Sequence, residues 1–557
     1  MSNQLKVYCK NINRYVDITG GETLHDIFMR LSGELEMRPV CAKVNNKNES
    51  LDYPVYAPKQ VEYLTVDSPS GHRTYIRSLC MMLYKAVRDC YPGATLRIEH
   101  SVSRGYFGRI SGDGFEMTDD VVGNLRRRML EIVDEDLHFE RKERLTSDVI
   151  DMFRRQGLDD KVRLLSTTHD LYTTYYRLGD TLDSYYGVLA RSTGMLGVFD
   201  LRPYKDGFLL LGPDPQDTSV PSIPIVQEKM YRAFTDYLDF NAIIGVRNVG
   251  ELNEVVEKRQ TAMLINVAEA LHEKYIGTIA SRIARRFHKG EAKVVLIAGP
   301  SSSGKTTFTK RLAIQLMTNL LEPQMISLDN YFINRNCTPL DEHGDYDFES
   351  LYALDLETFN RDLNRLIAGD EVELPYYNFE KGEREYRGER IRLNDRSILL
   401  IEGIHGLNPE LTAQVEHRMK YRVYVSALTT LSIDDHNWVP TTDNRLLRRI
   451  IRDHKYRGVS PAETIRRWPS VRRGEERWIF PYQENADSMF NSSLIFELGV
   501  MKEYGEEILR SVPRDIPEYA EAYRLRRFLG YFASIKDNLV PSTSLLREFL
   551  GGSSFHY

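Results

Sequence analysis

Val294-Val295-Leu296-Ile297-Ala298-Gly299-Pro300-Ser301-Ser302-Ser303-Gly304-Lys305-Thr306-Thr307 decides how this chain is read. Five apolar residues spell a buried strand, the run 308–321 has the spacing of an amphipathic helix, and the turn between them reads G-x-x-x-x-G-K-[S/T]. That pattern carries weight only between a strand and a helix, and here it has both. Its glycines let backbone N–H groups curl around phosphate oxygens where a Cβ would clash, at a helix N-terminus that favours anions. Gly299, Pro300, Ser301, Ser302, Ser303, Gly304, Lys305, Thr306 and Thr307 are therefore the predicted nucleotide-binding residues, for ATP or GTP. Lys305 is expected to reach the β- and γ-phosphates and the Thr306 hydroxyl to ligate Mg²⁺.

Outward from the loop, apolar runs at 325–328, 398–401, 422–425 and 494–496 alternate with helical patterns. Residues 291–557 are thus predicted to be an α/β domain with a largely parallel sheet. Such sheets hold ligands at the carboxyl ends of their strands. Two acids stand there: Asp329, followed by Asn330-Tyr331-Phe332, and Glu402, followed by Gly403-Ile404-His405-Gly406. Phosphoryl transfer to a hydroxyl uses one carboxylate to take the proton and another to hold the metal. Asp329 is assigned as the base and Glu402 as the metal residue.

Arg445, Arg448, Arg449 and Arg452 recur at i, i+3, i+4 and i+7 across 443–456, with Leu446, Leu447, Ile450 and Ile451 on the remaining face. Helical spacing gathers the guanidiniums into one stripe, whose forked donors suit a triphosphate and a transferring phosphoryl group. Arg448 and Arg449 join Lys305 and Asp329 as catalytic candidates, and Arg445 and Arg452 join the nucleotide-binding set. The bland alternative is a solvated basic face paired with Asp443 and Asp453.

The ordered motifs GPSSSGKTT, LDNYF, DYDFE, PYYNFEKGER, LLIEGIHG and TDNRLLRRIIRD, over about residues 290–500, resemble the uridine kinase and phosphoribulokinase family. The resemblance implies a kinase that transfers the γ-phosphoryl group of ATP, with Mg²⁺, to a hydroxyl of a nucleoside. It implies the same roles for Asp329, Glu402 and the arginine stripe, and an acceptor pocket lined by Asp347, Tyr377 and Arg384. Gly382 departs from the pattern, standing where true uridine kinases carry a pyrimidine-reading histidine, and Asn378 replaces an aspartate. The acceptor stays open between a nucleoside and another small polyol, and so does ATP against GTP. A different reading is a regulatory or RNA-binding protein that uses the loop domain as a nucleotide switch; it needs no catalytic base.

Ahead of that domain the texture changes. Residues 1–65 alternate short apolar runs with turns around one helix near 23–31 and are similar to the ubiquitin-like TGS module of threonyl-tRNA synthetases. Residues 66–215, an α+β stretch, are similar to the editing domain of the same enzymes through Tyr91-Pro92-Gly93-Ala94, Gly105-Tyr106-Phe107 and Ser192-Thr193-Gly194. Where that domain has its HxxxH pair and later Cys and His, this chain has Arg77, Met81, Tyr185 and Leu189, so a degenerate site without zinc is expected. Binding of tRNA or a small ligand there is left open. Residues 216–290 read as a helical connector.

Composition bounds the rest. A formal charge of −6 over 557 residues argues against a surface built wholly for nucleic acid. Five cysteines without C-x-x-C spacing suggest neither a zinc site nor a disulfide framework. No run reaches the ~18 apolar residues of a membrane span, and a cytoplasmic location with no membrane partner is expected. Oligomeric state has no signal in the sequence.

Overall fold

A computed structural model describes residues 4–342 and 344–556. At the front, the strands Gln4–Cys9 and Arg14–Thr19 form a hairpin, and Gln60–Leu64 returns parallel to the first of them. Cys41–Val44 and Lys47–Glu49 complete a five-stranded mixed sheet. The α-helix Leu24–Leu31 packed on it buries Leu24, Ile27, Phe28 and Leu31, the i, i+3, i+4, i+7 stripe of one face. Thr23 and Asp26 form a capping box that fixes where the helix starts.

The next unit is built on the helix Pro69–Cys90, which opens with Ser68 as its cap and Pro69 in the first turn. Long stretches of it are buried all round, because it packs against strands of two antiparallel sheets. One sheet comprises Thr95–Val102, Gly105–Ser111, Asp200–Tyr204 and Gly207–Leu211; the other comprises Glu140–Leu145, Tyr172–Leu178 and Thr181–Asp183. Arg77, Met81, Tyr185 and Leu189 are all buried here. Arg77 donates to the Val188 carbonyl at 3.2 Å, so these positions converge, as packed core.

Three helices follow, Glu228–Ile243, Val249–Glu257 and Thr261–His288. They lead into the parallel sheet, ordered Glu322–Ser327, Ser397–Glu402, Val294–Ala298, Lys420–Ser426, Ser488–Asn491. The central three strands are almost entirely buried, as expected where helices cover both faces. One strand differs from expectation. The fifth is Ser488–Asn491, while Leu494 and Phe496 lie in the turn before the helix Glu497–Arg510 and pack into a helical core instead. Ser488-Met489-Phe490-Asn491 carries only two apolar residues, too weak a run to outrank its neighbour.

The halves are packed together. Val102, Phe107, Leu209 and Leu211 share a core with Met230, Phe234, Leu407, Tyr424 and Leu428. Polar links span most of the chain: Asn46 Nδ2 donates to the Arg514 carbonyl at 3.2 Å, and Arg73 pairs with Glu521 at 2.9 Å. Among the described residues, no helix is long and apolar enough to cross a membrane.

Candidate active site

The strand Val294–Ala298 delivers the loop to the carboxyl edge of the sheet, and the helix Lys305–Thr318 leaves from it. Gly299 lies so close to the neighbouring strand that a Cβ there would sit 1.9 Å from the Val425 carbonyl oxygen, which explains why this position takes no side chain. Lys305 Nζ lies over the loop and donates to the Pro300 carbonyl at 3.2 Å. Thr306 Oγ1 donates to Glu402 Oε1 at 3.1 Å. Ser327 and Glu402 are register partners on adjacent strands, so Asp329, two residues on, comes out beside Glu402 and Lys305.

Electrostatics marks this cluster out. Burial pushes Glu402 up to about 7, with Lys305 opposing and Asp329 adding to the rise. Asp329 is raised by the protein walls around it, against the pull of Lys305, Arg457 and Arg452. Asp329 is nonetheless an exposed residue, so water reaches it beside these charges. Glu349 is likewise pushed up to about 7, by burial and then by Glu475. Acids shifted up beside a phosphate-loop lysine are the usual mark of a reacting site.

The arginine helix, Thr441–Arg457, does not present one uniform stripe. Arg449 Nη1 donates to Ser301 Oγ at 2.8 Å and Arg445 Nε to the Ser301 carbonyl at 3.0 Å, so both touch the loop. Arg445 also pairs with Glu475, whose Oε1 accepts from the Ser301 N–H at 3.2 Å. Arg452 leans on Asp453 at 2.8 Å while its charge bears on Asp329. Arg448 turns inward: it is fully buried, pairs with Glu497 and donates to the Ser492 carbonyl at 2.9 Å. Its guanidinium is committed behind the loop, which makes it a structural support and corrects its assignment to the reacting phosphoryl group.

Tyr377 and Arg384 face each other across the hairpin of Val372–Asn378 and Glu383–Ile391. The Tyr377 N–H donates to Asn330 Oδ1 at 3.3 Å, which ties the hairpin to the Asp329 turn. Tyr377 packs with Phe332 and Phe379, and Arg384 pairs with Asp355 at 2.7 Å. Asp347 lies on a separate segment, half-buried, and accepts from the Glu349 N–H at 3.2 Å. Asn378 Oδ1 accepts from the N–H groups of Glu380 and Lys381, so it caps the turn. Gly382 closes that turn with φ +73°, and a Cβ on it would lie 2.9 Å from Arg335 Cβ.

Several residues of the site gave no sequence signal. Glu349 stands two places after Asp347, and only the fold shows it turned toward Lys305 and Arg449. Glu475 comes from the helix Pro461–Trp478, Arg457 from the end of the arginine helix, and His405 lies buried within reach of the Lys305 charge. Glu548 Oε2 accepts from the Thr307 hydroxyl at 2.6 Å and its N–H at 3.2 Å. Among the described residues, no group of three or more His, Cys, Asp or Glu side chains forms a metal cage. The adjoining hydroxyl and carboxylate of Thr306 and Glu402 are hard oxygen donors, the set Mg²⁺ takes when substrate phosphates and water supply the rest.

Residues 294–494 match the sequence model of the family described as Phosphoribulokinase / Uridine kinase family. The chain is 29% identical over 187 residues to the threonine–tRNA ligase of Rubrobacter xylanophilus, covering 34% of this chain and 29% of that protein. It is 29% identical over 191 residues to uridine-cytidine kinase C of Dictyostelium discoideum, covering 34% of this chain and 36% of the other. Against the uridine kinase of Halobacterium salinarum it is 28% identical over 194 residues, with 34% of this chain and 76% of that one covered. The chain thus spans less than two fifths of the length of the first two. A domain matching the Phosphoribulokinase / Uridine kinase family is joined here, in one chain, to a front half similar to threonine–tRNA ligases.

Proposed function

We propose that the protein is an ATP- or GTP-dependent phosphotransferase whose acceptor is a hydroxyl of a nucleoside-like compound. The observation that carries this is the convergence of Asp329, Glu402 and Lys305 at one end of the parallel sheet, with Arg449 on the loop. A nucleotide switch has no use for a raised carboxylate beside the lysine; a kinase uses one as a base. Lys305 and the loop amides hold the donor phosphates, Arg449 and Arg452 add positive charge beside them, and Arg445, buried and paired with Glu475, braces the loop at Ser301. Asp329 takes the proton from the acceptor hydroxyl.

Mg²⁺, when bound, neutralises charge on the donor phosphates; Thr306 and Glu402 are the residues that would hold it. Glu402 gives up its proton to do so, since a carboxylate ligand must be ionised. The hairpin aromatics Tyr377 and Phe379, with Arg384 and Asp347, are assigned to the acceptor. The likeness to uridine and uridine-cytidine kinases supports a nucleoside. Purified protein with ATP, GTP and Mg²⁺, assayed for nucleotide consumption against purine and pyrimidine nucleosides and small polyols, tests the reading. Turnover with a nucleoside is the expected result; turnover only with a polyol moves the acceptor class, and none with any acceptor removes the kinase reading.

A further inference from the structure

Between the strand Lys420–Ser426 and the arginine helix stands a small hairpin, Ser432–Asp434 and Asn437–Trp438. Its tip does not face solvent. It is driven into the front half, where Lys161 Nζ lies 2.8 Å from both Asp183 Oδ1 and Asp434 Oδ1. His436 Nδ1 meets Asp183 Oδ2 at 2.8 Å, and all four side chains are at most 3% exposed. Backbone bonds lock the same contact: the Asp435 N–H donates to Asp160 Oδ2 at 2.7 Å, and the Ile98 N–H to the Asp435 carbonyl at 2.8 Å. The rings of Tyr84 and Tyr106 pack on His436 and Trp438 at 4.2 and 4.6 Å.

A buried cluster of this kind is a costly way to gain stability, because desolvating each ion offsets most of the attraction; its best-attested use is to fix one register. What is fixed here is the approach to the arginine helix, whose first residue, Thr441, follows Trp438 by three. A second link grips the helix's first turn. Asp443 accepts from Arg524 at 2.6 and 2.8 Å, Arg524 pairs with Glu521, and Glu521 pairs with Arg73 of the front half. From the same N-terminal half of the helix, on another face, Arg445 and Arg449 reach Ser301 of the phosphate loop.

We propose that the front half serves the kinase as the mount of its arginine helix, with Lys161, Asp183 and Arg73 as positioning residues for phosphoryl transfer. This rests on the phosphotransferase reading above. The cleft around Asp183 and Tyr84 is occupied by the chain's own hairpin, so the front half acts on the neighbouring domain. Misplacing a catalytic group by about 1 Å can cost on the order of 100-fold in rate, and the front-half links act on top of the core packing of Leu446 and Leu447 and the bond of Asn444 to Glu497.

The test uses the full chain in two variants. Arg73→Ala removes the pair with Glu521 and a local bond to Ser70 within the same helix, and the double variant Lys161→Met with Asp434→Asn removes one charge of each sign and leaves Asp183 with His436. Amide exchange across 441–457 and the split between kcat and donor KM are measured, with Arg73→Lys as the conservative control. Faster exchange in that helix is expected, with kcat lower by roughly 10- to 100-fold, donor KM little changed, and recovery in Arg73→Lys. Folded variants with wild-type exchange and kcat, or a lower Tm alone with kcat intact, would overturn the proposal. If the wild type transfers phosphate to no acceptor, the exchange measurement still decides whether the front half holds the helix.

Discussion

Gly382→His tests the acceptor side most sharply, because the residue it introduces is the one that true uridine kinases carry. The exchange looks like a restoration, yet the structure opposes it on two counts. Gly382 sits at φ +73°, in the left-handed region, where a residue with a Cβ costs about 1–2 kcal/mol. Its Cβ would also press on Arg335, 2.9 Å from both Cβ and Nε, and the Arg335 guanidinium holds the Phe379 carbonyl. Displacing that arm loosens the turn that carries Phe379 beside Tyr377. A total near 2 kcal/mol, if fully transmitted, lowers kcat/KM roughly 30-fold. The loss should be the same for purine nucleosides, pyrimidine nucleosides and polyols, since it comes from the loop and not from a base contact. Gly382→Ala, which adds the Cβ without an imidazole, should reproduce most of it. The measurement is kcat/KM over that acceptor panel for wild type and both variants, with Tm alongside. A selective gain for uridine or cytidine in Gly382→His, with Tm unchanged, refutes this reasoning.

Other changes probe the rest of the site. Lys305→Ala should abolish transfer and leave the fold intact, because the half-buried side chain is held only by a bond to the Pro300 carbonyl; near-normal turnover in a folded variant removes the loop from the mechanism. Asp329→Asn should lower kcat by ~10²-fold or more with donor affinity little changed; weakened donor binding at normal kcat would move Asp329 to the metal or nucleotide. Glu548→Gln should tighten nucleotide binding by about three- to ten-fold, since a full charge is withdrawn from the Thr307 N–H that otherwise faces a phosphate; a titration showing equal or weaker binding contradicts this. Glu349→Gln tests the pH dependence. With Glu349 raised to about 7, the folded protein keeps a proton that the unfolded chain releases from about pH 4.5, so wild-type stability falls as pH rises from 4.5 to 7 and is flat above. The variant's Tm advantage should widen over that interval and vanish below it; an equal gap at pH 5 and pH 8 argues against it.

The nucleotide half was legible where chemistry and local structure share a few consecutive residues. The loop, Asp329 and Glu402 all sit at the end of an apolar strand, so a continuous apolar run followed by a glycine or an acid was enough to single them out as candidates. Arg448 shows the limit of that method. Helical spacing told which residues share a face, but what covers the face comes from Glu497 and Ser492, more than forty residues away. Glu475 and Glu548 stayed hidden for the same reason, each meeting the loop from a distant helix. Gly382 was read first as a missing histidine, because backbone angles leave no trace in residue identity except as a glycine. In the front half, Arg77, Met81, Tyr185 and Leu189 lie in the packed core, whereas the hairpin that packs beside them left no sign in the sequence.

The pairing of Arg73 with Glu521 joins residues 448 positions apart. A ribosome adding about 5–20 residues per second leaves Arg73 waiting roughly 20–90 s for its partner. Through that time the front module stands alone with its docking face unmatched. That face is mixed: Arg73 and Asn46 offer polar groups that water can serve during the wait, while Val102, Phe107, Leu209 and Leu211 are apolar and stay uncovered until Leu407, Tyr424 and Leu428 arrive. Newly made chains should therefore pass through a state in which the front module is folded and the sheet behind it is not, so that assembly of the chain ends with a docking event.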